Sequence, residues 1–100
     1  MFAGRKSSYR DLDVWRRACE LAVGVYRLTE AYPGKEMYGL TAQMRRCATS
    51  VPANIAEGKG RRSDGDFIRF PCIAAGSLAE LETFLETSRR LHYGEEQLLS

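Results

Sequence analysis

Apolar residues recur at intervals of three and four along most of the chain, a spacing that indicates amphipathic α-helices. The clearest stripe lies within residues 38–59 and consists of Leu40, Met44, Cys47, Ala48, Val51 and Ile55. Related stripes occupy residues 11–31 and 64–91, and residues 95–100 resemble the start of another. The pattern therefore predicts three full helices over about these ranges and the beginning of a fourth.

Pro52 falls inside the second stripe and allows two interpretations. It could kink one long helix, because it leaves the carbonyl of Ala48 without its helical donor, or it could occupy the first turn of a new helix. The apolar spacing continues from Val51 to Ile55 without a change of phase, which favours a single kinked helix. Pro71 falls similarly inside the third stripe, where the sequence suggests no function for it.

Short links separate the predicted helices. Tyr32-Pro33-Gly34 has the composition of a turn, and residues 60–63 form a second short link. Helices joined by links this short pack as antiparallel neighbours. We therefore predict a single all-α domain spanning residues 1–100, an up-and-down antiparallel helical bundle of the four-helix-bundle type with its fourth helix largely missing.

Basic residues are concentrated in the first part of the chain. Residues 1–71 contain 13 Lys and Arg against 8 Asp and Glu, whereas residues 72–100 contain 2 against 5. Arginine predominates, and its guanidinium group suits forked contact with phosphate. The candidate nucleic-acid-binding residues are Arg45, Arg46, Lys59, Arg61, Arg62 and Arg69. The alternative interpretation is that these side chains lie on solvated faces or form ion pairs within the bundle.

The sequence contains no recognisable catalytic or metal-binding motif. Its only histidine, His92, lies near a predicted helix end, and its three cysteines are isolated and lack metal-ligand spacing. Gly58-Lys59-Gly60 is too short for a phosphate-binding loop and follows a helix rather than a strand. We therefore expect reduced thiols and no enzymatic activity, cofactor, metal or small-molecule substrate. No apolar run is long enough to span a bilayer and no signal peptide is recognisable, so we expect a cytoplasmic protein.

Four residues are candidates for packing or for fixing helix register. Trp15 is the largest apolar group and is expected to anchor the core or a subunit contact. Asn54 borders the packed face of the second helix and is expected to bond a neighbouring helix. Glu57 precedes Arg61 by four residues, which is the favourable order for an ion pair. Gly58 and Gly60 together are expected to end the second helix.

The segment YGLTAQMRRCATSVPANIAEGKGRRSDGDFIRF, residues 38–70, resembles the signature of a bacterial four-helix-bundle family linked to 23S rRNA intervening sequences. The accessory variability determinant proteins of diversity-generating retroelements belong to the same family. The resemblance extends from YRDLDVW at residues 9–15 to GSLAELE at residues 76–82, and SVPANIAEG is its most specific part. The family's fourth helix would extend well beyond residue 100, and Pro71 departs from the usual family pattern.

This resemblance implies a helical scaffold that forms a ring-shaped homopentamer, has no enzymatic activity, and binds RNA or a reverse transcriptase. The residues themselves also predict a homo-oligomer, because three helices cannot readily bury all of the large apolar side chains. These side chains are Trp15, Tyr26, Phe67, Phe70 and Phe84.

Two functions fit the sequence. The first is a non-enzymatic oligomeric scaffold that binds structured RNA or a nucleic-acid enzyme through its basic surface. The second is a purely structural or protein-interaction module that uses its arginines in subunit contacts. The two differ in whether four basic side chains face solvent without carboxylate partners, namely Lys59, Arg61, Arg62 and Arg69.

Overall fold

The structure, a computed structural model, describes residues 8–60 and 64–94, with the side chains of 64–68 excepted. A 3-10 turn at Tyr9–Asp11 precedes helix α1, Asp13–Thr29. A second 3-10 turn at Gly34–Glu36 leads to α2, Leu40–Gly60, and α3 spans Asp64–Arg90. The described part of the chain contains no strand, so the predicted all-α bundle is confirmed. The predicted start of a fourth helix at residues 95–100 lies outside the described residues.

Helix α1 is shorter than the predicted range of 11–31, and at its start the 3-10 turn at Tyr9–Asp11 replaces the first predicted residue. The side chain of Ser8 accepts a hydrogen bond from the Arg10 N–H at 3.0 Å, and the Asp11 carboxylate accepts one from the Ser8 N–H at 3.2 Å. These two bonds form a capping box on the 3-10 turn. Leu12 then adopts an extended conformation, so the α-helix begins only after it.

Helix α2 begins at Leu40 rather than at the predicted residue 38, because a 3-10 turn occupies the preceding link. The Glu36 carboxylate accepts a hydrogen bond from the Leu40 N–H at 3.3 Å and so satisfies one free donor of the helix start. Pro52 lies buried inside α2, which confirms the single-helix interpretation. Pro71 lies inside α3 in the same way.

Helix α2 is central to the core and packs against both α1 and α3. Met44 and Cys47 of α2 and Leu81 of α3 are fully buried, and Ala22 and Val25 of α1 pack against them. The described structure is elongated, with a radius of gyration of 16.0 Å. A compact domain of this length has a radius of gyration of about 13 Å. Large apolar side chains such as Val14, Tyr26 and Leu78 also remain exposed on the three helices.

The chain leaves α3 through a turn that holds the end of the helix against the link between α1 and α2. His92 and Gly94 are both left-handed, with φ of 63° and 76°. The left-handed φ at residue 94 strains any residue with a side chain, and a Cβ atom there would also lie 2.8 Å from Cδ1 of Leu28, so glycine is strongly favoured. The Tyr93 hydroxyl donates a hydrogen bond to Glu36 at 3.0 Å. The end of α3 and the α1–α2 link thus form one end of the bundle.

Candidate nucleic-acid interface

The opposite end of the bundle is built where α2 and α3 approach closely. Gly58 is buried in the last turn of α2, and a Cβ atom there would lie 3.2 Å from both Phe70 Cβ and Pro71 Cδ of α3. Glycine therefore allows the two backbones to approach, and the Pro71 ring fills the space beside it. The sequence alone gave Pro71 no function, whereas the structure gives it a packing contact with Gly58.

Lys59 and Arg69 lie next to this contact between α2 and α3. Both side chains are exposed, Lys59 at the end of α2 and Arg69 near the start of α3. The Arg69 guanidinium carbon lies 5.2 Å from the centre of the Phe70 ring. Among the side chains that the structure describes, which exclude those of residues 61–68, neither cation has a carboxylate partner. Arg61 and Arg62 lie outside the described residues, between these two positions in the chain.

Arg45 lies far from that end and is used inside the bundle. Its Nε donates a hydrogen bond to Thr29 Oγ1 at 2.9 Å, and its Nη2 donates one to the Tyr26 carbonyl at 3.3 Å. Its guanidinium carbon also lies 4.5 Å from the centre of the Tyr26 ring. The last turn of a helix has carbonyls without helical donors and a partial negative charge, so Arg45 stabilises the end of α1.

Replacing Arg45 with alanine is therefore expected to lower the free energy of unfolding by about 1.5 kcal/mol or more, because hydrogen bonds from a charged donor are lost. Urea denaturation measures this change. Arg27→Ala is the matched control, since Arg27 is exposed on the same helix end as Thr29 and is expected to change stability by less than about 0.5 kcal/mol. Equal stability of the two variants would contradict the proposed contact.

Arg46 also has partners within the bundle. Its guanidinium donates hydrogen bonds to Gln43 Oε1 at 2.9 and 3.2 Å, and its Nη2 lies 3.4 Å from Oε2 of Glu80 on α3. Both charged side chains of this ion pair are about half exposed, and such a pair contributes little stability. Arg46 is consequently engaged between α2 and α3, on a different part of the molecule from Lys59.

The arginines at the far end of α3 are paired as well. Arg89 and Arg90 contact the Glu86 carboxylate at 2.7 and 2.8 Å. Hydrogen bonds from Arg89 and Arg90 lower the pKa of Glu86 from 4.5 to about 2. The Glu86 carboxylate is therefore ionised at neutral pH, and its negative charge offsets part of the positive charge at this end of the bundle.

Asn54 makes its described hydrogen bonds within α2, to the Ser50 carbonyl at 2.8 Å and to Ser50 Oγ at 2.9 Å. The bond between helices comes instead from Ser77 of α3, which donates to Ser50 Oγ at 2.8 Å. Sequence reasoning missed the two serines, because neither stands out until the helices are packed. The predicted ion pair of Glu57 involves Arg61, which is not among the described residues.

Trp15 is half-buried at the start of α1, where its ring packs edge-on against Tyr9 at a centroid distance of 5.2 Å. Arg10 lies beside both rings, with its guanidinium carbon 5.7 Å from each ring centre. The sequence predicted Trp15 as an anchor but gave no sign of this cluster. The contact depends on the 3-10 turn at residues 9–11, which no periodicity indicated.

The described residues offer little for other kinds of chemistry. Among them, no group of His, Cys, Asp or Glu side chains could hold a metal ion. Burial raises the pKa of the Cys47 thiol, which favours the protonated and unreactive form. Within the same part of the chain, no helix combines the length and the apolar character needed to cross a bilayer.

Comparison with known proteins identifies the family. A search of curated proteins gave no match. The family model of the 23S rRNA-intervening sequence protein matches residues 10–100, which includes all three helices and the SVPANIAEG segment. The resemblance drawn from the sequence is thereby confirmed. Because the match covers most of its length, the chain belongs to the 23S rRNA-intervening sequence protein family.

Proposed function

We propose that the protein is a non-enzymatic, oligomeric helical scaffold of the bacterial cytoplasm that binds structured RNA through one end of its bundle. We call this end the basic end and define it by Lys59, Arg61, Arg62 and Arg69. The observation that supports the proposal is the exposure of Lys59 and Arg69 without a carboxylate partner among the described residues. Cations of this kind can contact phosphate without first breaking an ion pair.

Four arginines of α2 and α3 differ from Lys59 and Arg69 because they have partners within the bundle. Arg45 and Arg46 contact groups on neighbouring helices, and Arg89 and Arg90 both contact Glu86. A phosphate would have to replace these contacts, whereas at Lys59 it would displace no carboxylate among the described side chains. The basic end is therefore a more favourable phosphate contact than these four paired arginines.

Binding of a labelled hairpin RNA tests this proposal. The double variant Lys59→Ala/Arg69→Ala is expected to bind more weakly at low salt, and its salt dependence should be shallower by about one unit for each cation removed. Lys35→Ala is the control, because Lys35 is an exposed lysine at the other end of the bundle. Equal weakening by Lys35→Ala, or unchanged affinity of the double variant, would contradict the proposal.

The oligomer is proposed on the basis of an apolar groove of about 460 Å³. Residues from all three helices line it, including Leu12 and Val14 of the α1 region, Ile55 of α2 and Leu78 of α3. Val14 and Leu78, which both line the groove, are 57% and 38% exposed, so the groove presents apolar surface that another chain could cover. We propose that other copies of the chain cover this groove, and the family resemblance favours a pentamer.

Light scattering is expected to give a mass several times that of one chain at micromolar concentration. An oligomer would repeat the basic end in every subunit, so that weak phosphate contacts add up through avidity. A monomer at that concentration would contradict the proposed assembly. The RNA-binding experiment remains informative in that case, because a single basic end can still be measured at low salt.

A protein-interaction module is the second candidate function. It is favoured by the same groove and by Arg45 and Arg46, whose contacts lie within the bundle. A nucleic-acid enzyme such as a reverse transcriptase is the partner that the resemblance implies. Assembly without RNA binding at low salt would favour this second function over the first.

A further inference from the structure

A cluster of two aromatic rings and one arginine lies at the start of the described chain. Tyr9 and Trp15 pack edge-on at 5.2 Å with an angle of 70° between their planes. The Arg10 guanidinium carbon lies 5.7 Å from both ring centres, within the range of a cation–π contact. We call these three residues the aromatic cluster. Its position and exposure point to a use beyond packing.

The aromatic cluster lies at the same end of the bundle as Lys59. Leu12, which is between the two aromatic residues in the chain, lines the apolar groove together with Ile55 and Lys59. The 3-10 turn that carries Tyr9 and Arg10 also contacts α2 directly. The cluster is thus a neighbour of the basic end, although it lies about fifty residues before it in sequence.

The cluster is fixed in place but open to solvent. The capping box of Ser8 and Asp11 stabilises the 3-10 turn, so the backbone at Tyr9 is held in a defined conformation. The Arg10 side chain is exposed, and in the part of the chain that the structure describes it has no carboxylate partner. Both rings are only half-buried, which leaves part of their surface available to a ligand.

We propose that the aromatic cluster stacks an unpaired base of an RNA whose phosphates contact the basic end. Unpaired bases stack on aromatic rings and on the planar guanidinium of arginine. Bases inside a duplex cannot do so, because neighbouring base pairs cover both of their faces. The inference rests on the proposed RNA-binding function and specifies that the RNA at the aromatic cluster is single-stranded. The preferred partner is a single-stranded segment, such as a loop, next to the phosphates that the basic end holds.

Two RNA probes separate this inference from general phosphate binding. The first is a labelled oligoadenylate, and the second is a blunt RNA duplex of the same length. Trp15 is the only tryptophan of the chain, so its fluorescence reports directly on a base that approaches the cluster. We expect oligoadenylate to quench this fluorescence and to bind more tightly than the duplex of the same length. The duplex is expected to bind without quenching.

Variants of the cluster sharpen the test. Tyr9→Ala is expected to weaken oligoadenylate binding about fivefold or more, as expected for the loss of one stacked base, whereas Tyr9→Phe retains the ring and the affinity. Arg10→Ala changes an exposed side chain and is expected to weaken oligoadenylate binding without affecting the fold. Binding of the duplex should be unchanged by Tyr9→Ala, while Lys59→Ala should weaken binding of both RNAs.

The outcomes distinguish the two proposals. Equal binding of both RNAs without quenching, with Tyr9→Ala and Arg10→Ala indistinguishable from the original chain, would overturn the stacking inference and leave the RNA-binding function standing. Absence of binding to either RNA at low salt would overturn both. Quenching by oligoadenylate that Tyr9→Phe preserves and Tyr9→Ala removes would support the inference.

Discussion

Replacing Leu81 with alanine is expected to lower the free energy of unfolding by about 2 to 5 kcal/mol. Leu81 is fully buried on α3, where it packs against Met44 and Cys47 of α2. Alanine would remove apolar contacts from the buried core and leave a cavity that the helices fill only in part. Because α2 is held between the other two helices, the loss should affect the whole bundle in one unfolding transition.

Urea denaturation followed by circular dichroism measures this change. Leu91→Ala is the matched control, because Leu91 lies just after α3 and is 49% exposed. The control should lower the free energy of unfolding by less than about 0.5 kcal/mol. If both leucine variants unfolded at the same urea concentration as the original chain, the core assigned around Leu81 would be wrong.

Replacing Gly58 with valine is expected to lower the free energy of unfolding by about 1 to 3 kcal/mol, because it overfills a packed contact. Its Cβ atom would lie only 3.2 Å from Phe70 Cβ and from Pro71 Cδ, and the two further methyl groups would need space that α3 occupies. Glycine normally weakens a helix, so replacing it with valine would raise the free energy of unfolding if α3 did not pack against this position.

Gly24→Val provides that comparison. Gly24 lies in the interior of α1, and a Cβ atom there would meet no other atom within 4 Å. Valine should therefore leave stability unchanged or raise it slightly, since valine is a better helix former than glycine. The same substitution should thus have opposite effects at the two positions. A Gly58→Val variant as stable as Gly24→Val would show that α2 and α3 are not in close contact there.

The helices were predictable from the sequence, because apolar spacing records which face of a helix is buried. The uninterrupted spacing from Val51 to Ile55 correctly indicated one helix through Pro52. Helix ends were less predictable. The link before α2 contains a 3-10 turn that Tyr93 and Glu36 help to hold, and this contact joins residues that are far apart in the chain.

The candidate interface was predictable only in part, because a sequence shows charges but not their partners. Arg45 and Lys59 look equivalent in the sequence, yet Arg45 contacts the end of α1 whereas Lys59 is exposed. Which carbonyl or carboxylate an arginine meets depends on how the helices pack. The approach of Arg10 to Tyr9 and Trp15 likewise depends on a short turn that has no periodic signal.

The packing of α2 against α3 connects the fold with the proposed function. Gly58 lets the two helices approach just before the basic end, so Lys59 and Arg69 extend from rigid helix ends rather than from a long loop. A rigid base for these cations reduces the conformational entropy lost when RNA binds. The close contact that stabilises the bundle is therefore also what positions the proposed phosphate contacts.

Binding of a labelled hairpin RNA to the original chain at about 50 mM and about 200 mM salt tests whether the basic end contacts RNA phosphates. We expect binding at the lower concentration and strong weakening at the higher one, because each phosphate contact releases counterions. Arg61→Ala/Arg62→Ala should give a shallower salt dependence and similar weakening for unrelated RNA sequences, since phosphate contacts carry little sequence information. Absence of RNA binding at the lower salt concentration would contradict the proposed RNA-binding function.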